Sequence, residues 1–113
     1  MTKIRFVLIA FVFAACALAQ TTHTVTLTWV DALNPTGTTY TVYRANGACS
    51  GTPSYVNIAS AVTVKTYDDV GINPGRYCYA VTANYNEMES DYSTPATAQV
   101  KPFKPTLLIL VVI

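Results

Sequence analysis

The sequence predicts an all-β domain, a sandwich or barrel of short strands. Apolar and polar residues alternate over several short segments, which is the period of a half-buried strand. Turn residues interrupt this alternation every 8–12 positions, and no long stretch after residue 19 shows helical periodicity. Charged residues make up only 12% of the chain. Threonine and tyrosine supply much of the polar surface instead, which favours strands over helices.

The first 19 residues are typical of a secretory signal peptide. A basic start precedes an apolar stretch over residues 6–19, and small residues offer a cleavage site after Ala19. The apolar stretch of 14 residues is shorter than the ~20 residues of a membrane-spanning helix, so we expect no stable membrane span after cleavage. An uncleaved anchor and bacterial-type lipidation at Cys16 are the alternatives. Each of them places the domain outside the cytosol: secreted, periplasmic or at the cell surface.

Beyond this leader the chain carries almost no net charge. Without Lys3 and Arg5, five cationic side chains stand against six carboxylates, a net charge of −1. A nucleic-acid binder and a polybasic membrane anchor both need a strongly basic surface. We therefore expect neither, and a protein or polysaccharide surface remains as the partner.

The predicted strands follow one another from residue 24 to residue 100. They lie at residues 24–29, 40–44, 55–59, 62–67, 77–83 and 93–100. Asn, Asp, Gly, Pro and Ser separate them, as turns require. Asp68 and Asp69 fall between two predicted strands and are expected to form a turn. Residues 84–91 are expected to form an acidic loop, and Pro95 predicts a bulge or an edge position for the last strand.

Five short motifs occur in a fixed order along these strands. They are Leu-Thr-Trp at 27–29, Tyr-Thr-Val-Tyr-Arg at 40–44, Asn-Pro-Gly-Arg-Tyr at 73–77, Tyr-Ala-Val-Thr-Ala at 79–83 and Glu-Ser-Asp-Tyr-Ser at 89–93. Residues 23–100 thereby resemble a fibronectin type III domain, read from its second strand, B, to its last, G. The resemblance implies an immunoglobulin-like sandwich of two antiparallel sheets, and a binding or spacer module without catalytic activity.

The resemblance also implies roles for single residues. Trp29 of strand B and Tyr40 of strand C are core residues in that family, and Tyr77 forms the tyrosine corner between strands E and F. Alternation along strands C and F adds three more inward-facing side chains. The predicted inward-facing set is Trp29, Tyr40, Val42, Tyr77, Tyr79 and Val81.

Cys49 and Cys78 form an even pair once Cys16 leaves with the leader, and the compartment is oxidising. A metal site would need further ligands and a reactive thiol would need a neighbouring base. The sequence offers neither, because it has no Cys-x-x-Cys and His23 is its only histidine. We therefore expect a structural disulfide that closes a loop of 28 residues and stabilises the fold by roughly 3–4 kcal/mol. This pair is not general in the family but resembles one found in some secreted bacterial members.

Four carboxylates are expected near one end of the sandwich. Glu87, Glu89 and Asp91 alternate in the loop between strands F and G, and Asp31 lies in the loop between strands B and C. Together they could hold a weakly bound calcium ion, which takes six to eight oxygen ligands. The other interpretation is a solvated acidic loop. His23, the single candidate for a catalytic base, is expected to be a surface residue, and no cofactor is predicted.

Three further tyrosines are expected outside the core. Tyr43 projects from the opposite face of strand C, near Cys78 and Ala80 on strand F, while Tyr85 and Tyr92 flank the loop between strands F and G. Exposed tyrosines in a surface of low charge are typical of recognition faces. They are also typical of ordinary sheet surfaces, and the sequence leaves both interpretations open.

The C-terminal segment resembles a strand A that follows the domain instead of preceding it. Only residues 20–22 stand before strand B after cleavage, whereas the spacing of Pro105, Leu108 and Leu110 is similar to the opening of the family's strand A. The segment could fold back as a circular permutation, insert into a neighbouring copy, or be the stub of a following repeat. Residues 107–113 are apolar, uncharged and free of proline, so their exposure would favour aggregation.

The sequence thus predicts a signal peptide at 1–19, a fibronectin type III-like domain at 20–101 and an apolar strand or stub at 102–113. The predicted function is a secreted, bacterial-type binding or spacer module that self-associates through its C-terminal strand. Two alternatives stand beside it: a small carbohydrate-active or hydrolytic protein that uses the acidic loop, and a fragment of a longer multi-repeat protein.

Overall fold

The structure, a computed structural model, describes residues 21–109, and these form seven strands and no helix. The strands are β1 (His23–Thr28), β2 (Thr39–Asn46), β3 (Val56–Val62), β4 (Thr66–Ile72), β5 (Gly75–Tyr85), β6 (Met88–Glu89) and β7 (Ala96–Val100). Nothing in this part of the chain is a helix long and apolar enough to cross a membrane. The predicted signal peptide, Cys16 and Leu110 lie outside the described residues.

The strands build two antiparallel sheets. In the smaller sheet β1 pairs with β4, and in the larger one the order is β3-β2-β5, with β6 and β7 both on β5. Strands β1, β2, β5 and β7 take the places predicted for strands B, C, F and G. The predicted all-β sandwich is confirmed.

The burial of β1 follows the alternation in its sequence. His23, Val25 and Leu27 are half-buried toward the larger sheet, and the threonines between them are exposed. Trp29 continues the same face, and its backbone N–H donates to the Lys65 carbonyl oxygen at 3.1 Å. None of these side chains is fully buried, because among the residues described β1 has a strand beside it on one edge only.

The core is deepest where β2 lies against β5. Tyr40 and Val42 of β2 are buried, as is Tyr79 of β5. Tyr77 and Val81 face the same way but are half-buried. The Tyr77 hydroxyl donates to the Asn73 carbonyl oxygen at 2.8 Å, which is the backbone contact of a tyrosine corner.

The expected turn at Asp68 and Asp69 is wrong, because both residues lie inside β4. Aspartate is disfavoured in strands, so the pair suggested a loop. Asp69 is instead buried between the sheets, where Arg44 neutralises it. The strand then bulges at Gly71, whose φ of 73° lies in the left-handed region that favours glycine.

The predicted acidic loop at 84–91 is also more ordered than expected. Strand β5 continues to Tyr85 and pairs there with Met88 of β6. Asn86 and Glu87 form the two-residue turn between them, and both have positive φ, as a type I′ hairpin turn requires. The alternating carboxylates thus belong to a hairpin that ends the larger sheet.

The C-terminal segment forms no strand over residues 101–109. The Phe103 ring stacks on the His23 ring at a centroid distance of 3.9 Å and an interplanar angle of 12°. Beyond this contact Leu107 is 85% exposed and Leu108 is 58% exposed. As far as Ile109, the segment therefore does not fill the strand-A place of its own sandwich.

Candidate functional site

Three tyrosines meet on the outer face of the larger sheet. Tyr43 projects from β2, Tyr55 precedes β3, and Tyr92 follows β6. The rings of Tyr43 and Tyr92 are nearly perpendicular, with centroids 5.0 Å apart, and those of Tyr55 and Tyr92 are 4.6 Å apart. We call these three residues the tyrosine cluster. Edge-to-face and tilted contacts of this kind stabilise aromatic groups beyond the burial of their area.

The tyrosine cluster covers part of the outer face of β5. Cys78 is 0% exposed and Ala80 is 2% exposed, although both face away from the inter-sheet core. Tyr43 pairs with Ala80 across the strands, and the Tyr55 hydroxyl lies 3.3 Å from the Cys78 sulfur. The predicted position of Tyr43 near Cys78 and Ala80 is confirmed. The larger sheet therefore has a small second core on its outer side.

The disulfide between Cys49 and Cys78 is formed, as predicted, with 5.0 Å between the Cα atoms. It joins the loop after β2 to the outer face of β5. The Thr97 hydroxyl of β7 donates to the Cys49 sulfur at 3.2 Å. The bond thus fixes the loop between β2 and β3, which carries Tyr55, against the central strand of the larger sheet.

Glu89 accepts two hydroxyl hydrogen bonds beside the tyrosine cluster. The Tyr43 hydroxyl donates to its Oε2 at 2.5 Å and the Thr82 hydroxyl donates at 2.6 Å. These bonds lower the pKa of Glu89, with the Thr82 bond making the larger contribution. The same bond to Glu89, together with burial, raises the pKa of Tyr43. Glu89 is therefore held as a carboxylate and Tyr43 as a neutral donor.

An open groove of about 480 Å³ lies beside the cluster. Its lining residues are Tyr43, Thr82, Glu89, Ser90, Asp91 and Tyr92. Tyr92 is 51% exposed, so part of its ring faces solvent at the groove. Burial raises the pKa of Tyr55, and the nearby Tyr92 adds to the shift. The groove thus offers an aromatic face, hydroxyls and carboxylates, which suit stacking and hydrogen bonding.

Asp31 organises the loop between β1 and β2. Its carboxylate accepts bonds from the backbone N–H groups of Leu33 and Asn34, each at 3.2 Å, and from the Asn34 side chain at 2.7 Å. The Tyr40 hydroxyl donates to it at 2.8 Å. The bonds from Asn34 and Tyr40 lower the pKa of Asp31 to about 2. Asp31 is thus a structural acceptor for its own loop.

The structure does not bring the four predicted carboxylates together. Asp31 and Asp91 line one depression of about 190 Å³ at the end of the sandwich. Glu89 is bound to Tyr43, on the opposite face of β2 from Tyr40 and Asp31. Glu87 lies exposed at the hairpin turn. No three metal-ligating side chains group together in residues 21–109, which favours the solvated interpretation of these carboxylates over a calcium site.

The other predicted interaction residues are scattered. Tyr85, which is 49% exposed, lies at the end of β5 in the hairpin, away from the ring contacts of the tyrosine cluster. Leu108 lies in the exposed C-terminal segment. His23, predicted at the surface, is instead half-buried beneath Phe103. Of the predicted tyrosines, Tyr43 and Tyr92 share a site.

Sequence reasoning missed a polar network between the sheets. Arg44 of β2 contacts both carboxylate oxygens of Asp69 on β4, at 3.0 and 2.7 Å, and the Tyr79 hydroxyl donates to the same carboxylate at 2.7 Å. Burial and the bond to Asp69 raise the pKa of Tyr79, and the bond to Asp69 raises that of Arg44. The sequence did contain a signal for this network, because Arg44 alternates in phase with Tyr40 and Val42, the inward-facing residues of its strand.

Comparison with known proteins finds similarity to a solved structure of one family. No family model and no curated protein matches the chain. Among solved structures, a Fn3-like protein from Clostridium thermocellum is similar, at 30% sequence identity and a TM-score of 0.57. The match covers 73% of this chain and 81% of that one.

Proposed function

The chain belongs to the fibronectin type III-like family, and from this we propose that it acts as a secreted, non-catalytic binding module. The family fold is generally that of a module without catalytic activity. The observation that supports binding is the groove beside the tyrosine cluster, where Tyr92 presents a partly exposed ring next to two carboxylates. Tyrosine is enriched where proteins recognise other surfaces.

Export is supported by the disulfide and by the leader-like residues 1–19. A disulfide persists in an oxidising compartment and is rare in the cytosol. The bond between Cys49 and Cys78 holds the loop that carries Tyr55, so the binding surface itself depends on oxidation. A module of this kind works after export, in the medium or at the cell surface.

The surface of the groove indicates the chemistry of its partner. Glu89 keeps a negative charge at neutral pH because its pKa is lowered, and Asp91 lies at the same groove. The exposed ring of Tyr92 can stack on the apolar face of a sugar or a side chain. We propose that the partner presents hydroxyl or amide donors to the carboxylates, as a polysaccharide or an extended protein surface does.

A direct binding assay tests this proposal. Purified secreted chain is incubated with insoluble cellulose, chitin and peptidoglycan and with immobilised collagen, and the bound fraction is measured. Tyr92→Ala should weaken binding about tenfold, the effect of losing one aromatic contact worth ~1.4 kcal/mol. Tyr85→Ala is the matched control, since Tyr85 is exposed to a similar extent outside the tyrosine cluster. Absence of binding to every surface, or equal loss in both variants, contradicts the proposal.

The enzymatic alternative makes a different prediction. An enzyme that used the acidic residues would lose turnover when Glu87, Glu89 and Asp91 are replaced together by Gln, Gln and Asn, whereas a binding module has no turnover to lose. The structure does not favour this alternative, because the carboxylates of Asp31 and Glu89 face opposite sides of the larger sheet and are held by structural hydrogen bonds. A role as one repeat of a longer extracellular chain is compatible with the proposed module.

A further inference from the structure

The smaller sheet has a free edge along β1. Among residues 21–109, β1 pairs with β4 alone. The Trp29 N–H donates to Lys65, so the backbone groups of Leu27 and Trp29 face β4. Because these groups alternate in direction along an antiparallel strand, those of Thr26 and Thr28 face the free edge. A row of backbone donors and acceptors on such an edge is a template for another strand.

The core beneath this edge is incompletely covered. Val25 and Leu27 are half-buried although they face inward. Trp29 Nε1 and His23 Nε2 are buried without a hydrogen-bond partner in the part of the chain described. Buried polar atoms normally have a partner, in the protein or in water. The half-buried apolar side chains along β1 therefore indicate a place for one more strand.

The C-terminal segment has the composition of such a strand but does not occupy the place in its own copy. Phe103 stacks on His23, so the segment leaves the sandwich at the end where β1 begins. Leu107 and Ile109 beyond it are 85% and 74% exposed. Residues 107–113 contain no charge and no proline. A segment this apolar needs a surface to cover it.

The position of Phe103 decides the direction in which the segment can pair. On the β1 edge of the same copy, the segment would enter beside His23 and run parallel to β1. To run antiparallel it would first have to cross the length of β1, ~20 Å at about 3.3 Å per residue, and residues 104–105 are too few for that. Antiparallel pairing is slightly more stable per residue. A segment that enters from the Trp29 end of β1 must therefore come from another copy.

We propose that residues 105–113 of one copy add as an antiparallel strand to the free edge of β1 in the next copy. The inference rests on the proposed function as a module and names a partner for it, a second copy of this chain. The segment that is donated differs from the edge that receives it, so a single contact leaves one free segment and one free edge. Repeated contacts then build either a chain of modules or a closed ring, and the smallest ring is a dimer with reciprocal exchange. Alternation puts Leu108 and Leu110 on one face of the added strand and Leu107 and Ile109 on the other, and we assign the Leu108 face to the core of the next copy.

Sedimentation velocity of the full secreted chain over a concentration series tests the assembly. The wild-type chain should form dimers or larger species, and their fraction should grow with concentration. The double variant L108D/L110D should be monomeric, because it places charge against the core of the receiving copy. The control L107D/I109D carries the same charges on the solvent-facing side and should still assemble. Leu107, Leu108 and Ile109 are exposed within their own copy, and far-ultraviolet circular dichroism checks that each double variant remains folded.

A mixing experiment tests the pairing of segment and edge. The variant Thr26→Pro removes a backbone N–H that faces the free edge and leaves the backbone hydrogen bonds to β4 intact, while it also removes the bond from the Thr26 hydroxyl to Asp68. It keeps the donating segment, whereas L108D/L110D keeps the receiving edge. Each variant should be monomeric alone, and an equimolar mixture should form a heterodimer that stops at two copies. In the wild-type assembly the amides of Thr26 and Thr28 should exchange hydrogen more slowly than in the L108D/L110D monomer.

Three results would overturn the proposal. They are a wild-type chain that is monomeric at every concentration, equal loss of assembly in both double variants, and slow exchange at Thr26 in the monomer, which would mean that the chain covers its own edge. The Tyr92 binding assay is repeated on the L108D/L110D monomer. Failure of assembly and failure of the proposed binding function are then read from separate measurements.

Discussion

Arg44 of β2 and Asp69 of β4 form an ion pair that joins the two sheets, with 2.7 Å between Nη1 and Oδ2. The side chain of Asp69 is 8% exposed and that of Arg44 is 31% exposed. The Tyr79 hydroxyl donates to the same carboxylate. A buried carboxylate that loses its partners is strongly unfavourable. The three groups therefore hold the sheets in one arrangement, and each depends on the others.

The variant Asp69→Asn should lower the free energy of unfolding by about 3 kcal/mol, because it leaves Arg44 without its counter-charge between the sheets. Urea denaturation followed by tryptophan fluorescence measures the change. Asp68→Asn is the matched control, since the neighbouring Asp68 is exposed and accepts only the Thr26 hydroxyl. Its effect should stay within about 0.5–1 kcal/mol. Equal effects of the two variants would show that the ion pair does not stabilise the fold.

Loss of the disulfide should lower the free energy of unfolding about as much as Asp69→Asn does. Replacing Cys49 and Cys78 together by Ala opens a closed loop of 28 residues and should lower the free energy of unfolding by roughly 3–4 kcal/mol. Denaturation of the wild-type chain in the presence of a reductant should give nearly the same value. The double variant should be insensitive to the reductant, which serves as the control. If the reductant leaves the wild-type midpoint unchanged, the bond contributes nothing.

Strand order, the disulfide and the inward face of β1 could be predicted because each depends on local pattern. Alternation at Val25 and Leu27 is a property of neighbouring residues, and the sequence analysis needed only an even number of cysteines behind a leader-like segment to expect a disulfide. The position of Tyr43 over Ala80 followed from the same alternation on adjacent strands.

The features that were missed depend on contacts between residues far apart in the chain. Asp69 suggested a turn because its strand propensity is poor, and Arg44, 25 residues earlier, reverses that preference through the ion pair. Asp31 and Glu89 were grouped by their place in neighbouring loops. Hydrogen bonds to Tyr40 and Tyr43 hold them on opposite faces of one sheet, which no local pattern reveals.

Acid should destabilise the fold through Asp31. Its pKa is lowered from 3.8 to about 2 in the folded state, so its contribution to stability is complete above the unfolded pKa and is lost as the pH falls through the folded one. Glu89, with its lowered pKa, acts in the same direction. Asp31→Asn should be less stable than wild type at neutral pH and should lose less stability between pH 4 and pH 2. Thermal melting of the wild-type chain and of Asp31→Asn across that range measures how the stability of each depends on pH. If Asp31→Asn loses as much stability between pH 4 and pH 2 as the wild-type chain, the assignment is contradicted.

The hairpin turn before β6 carries a strain that a single substitution should relieve. Asn86 and Glu87 have φ values of 52° and 65°, and the left-handed conformation is unfavourable for a residue with a Cβ by about 1–2 kcal/mol. Asn-Gly is the preferred pair for this turn type. Glu87→Gly should therefore stabilise the fold by about 0.5–1 kcal/mol after the greater freedom of glycine in the unfolded chain is subtracted. Thermal melting should show a rise of a few degrees, given a shift of ~4–8 °C per kcal/mol for a domain of this size. Glu87→Ala retains the Cβ and should change little, whereas the β-branched Glu87→Val should be less stable than wild type. If the glycine variant melts no higher than the alanine variant, the turn is not strained in solution.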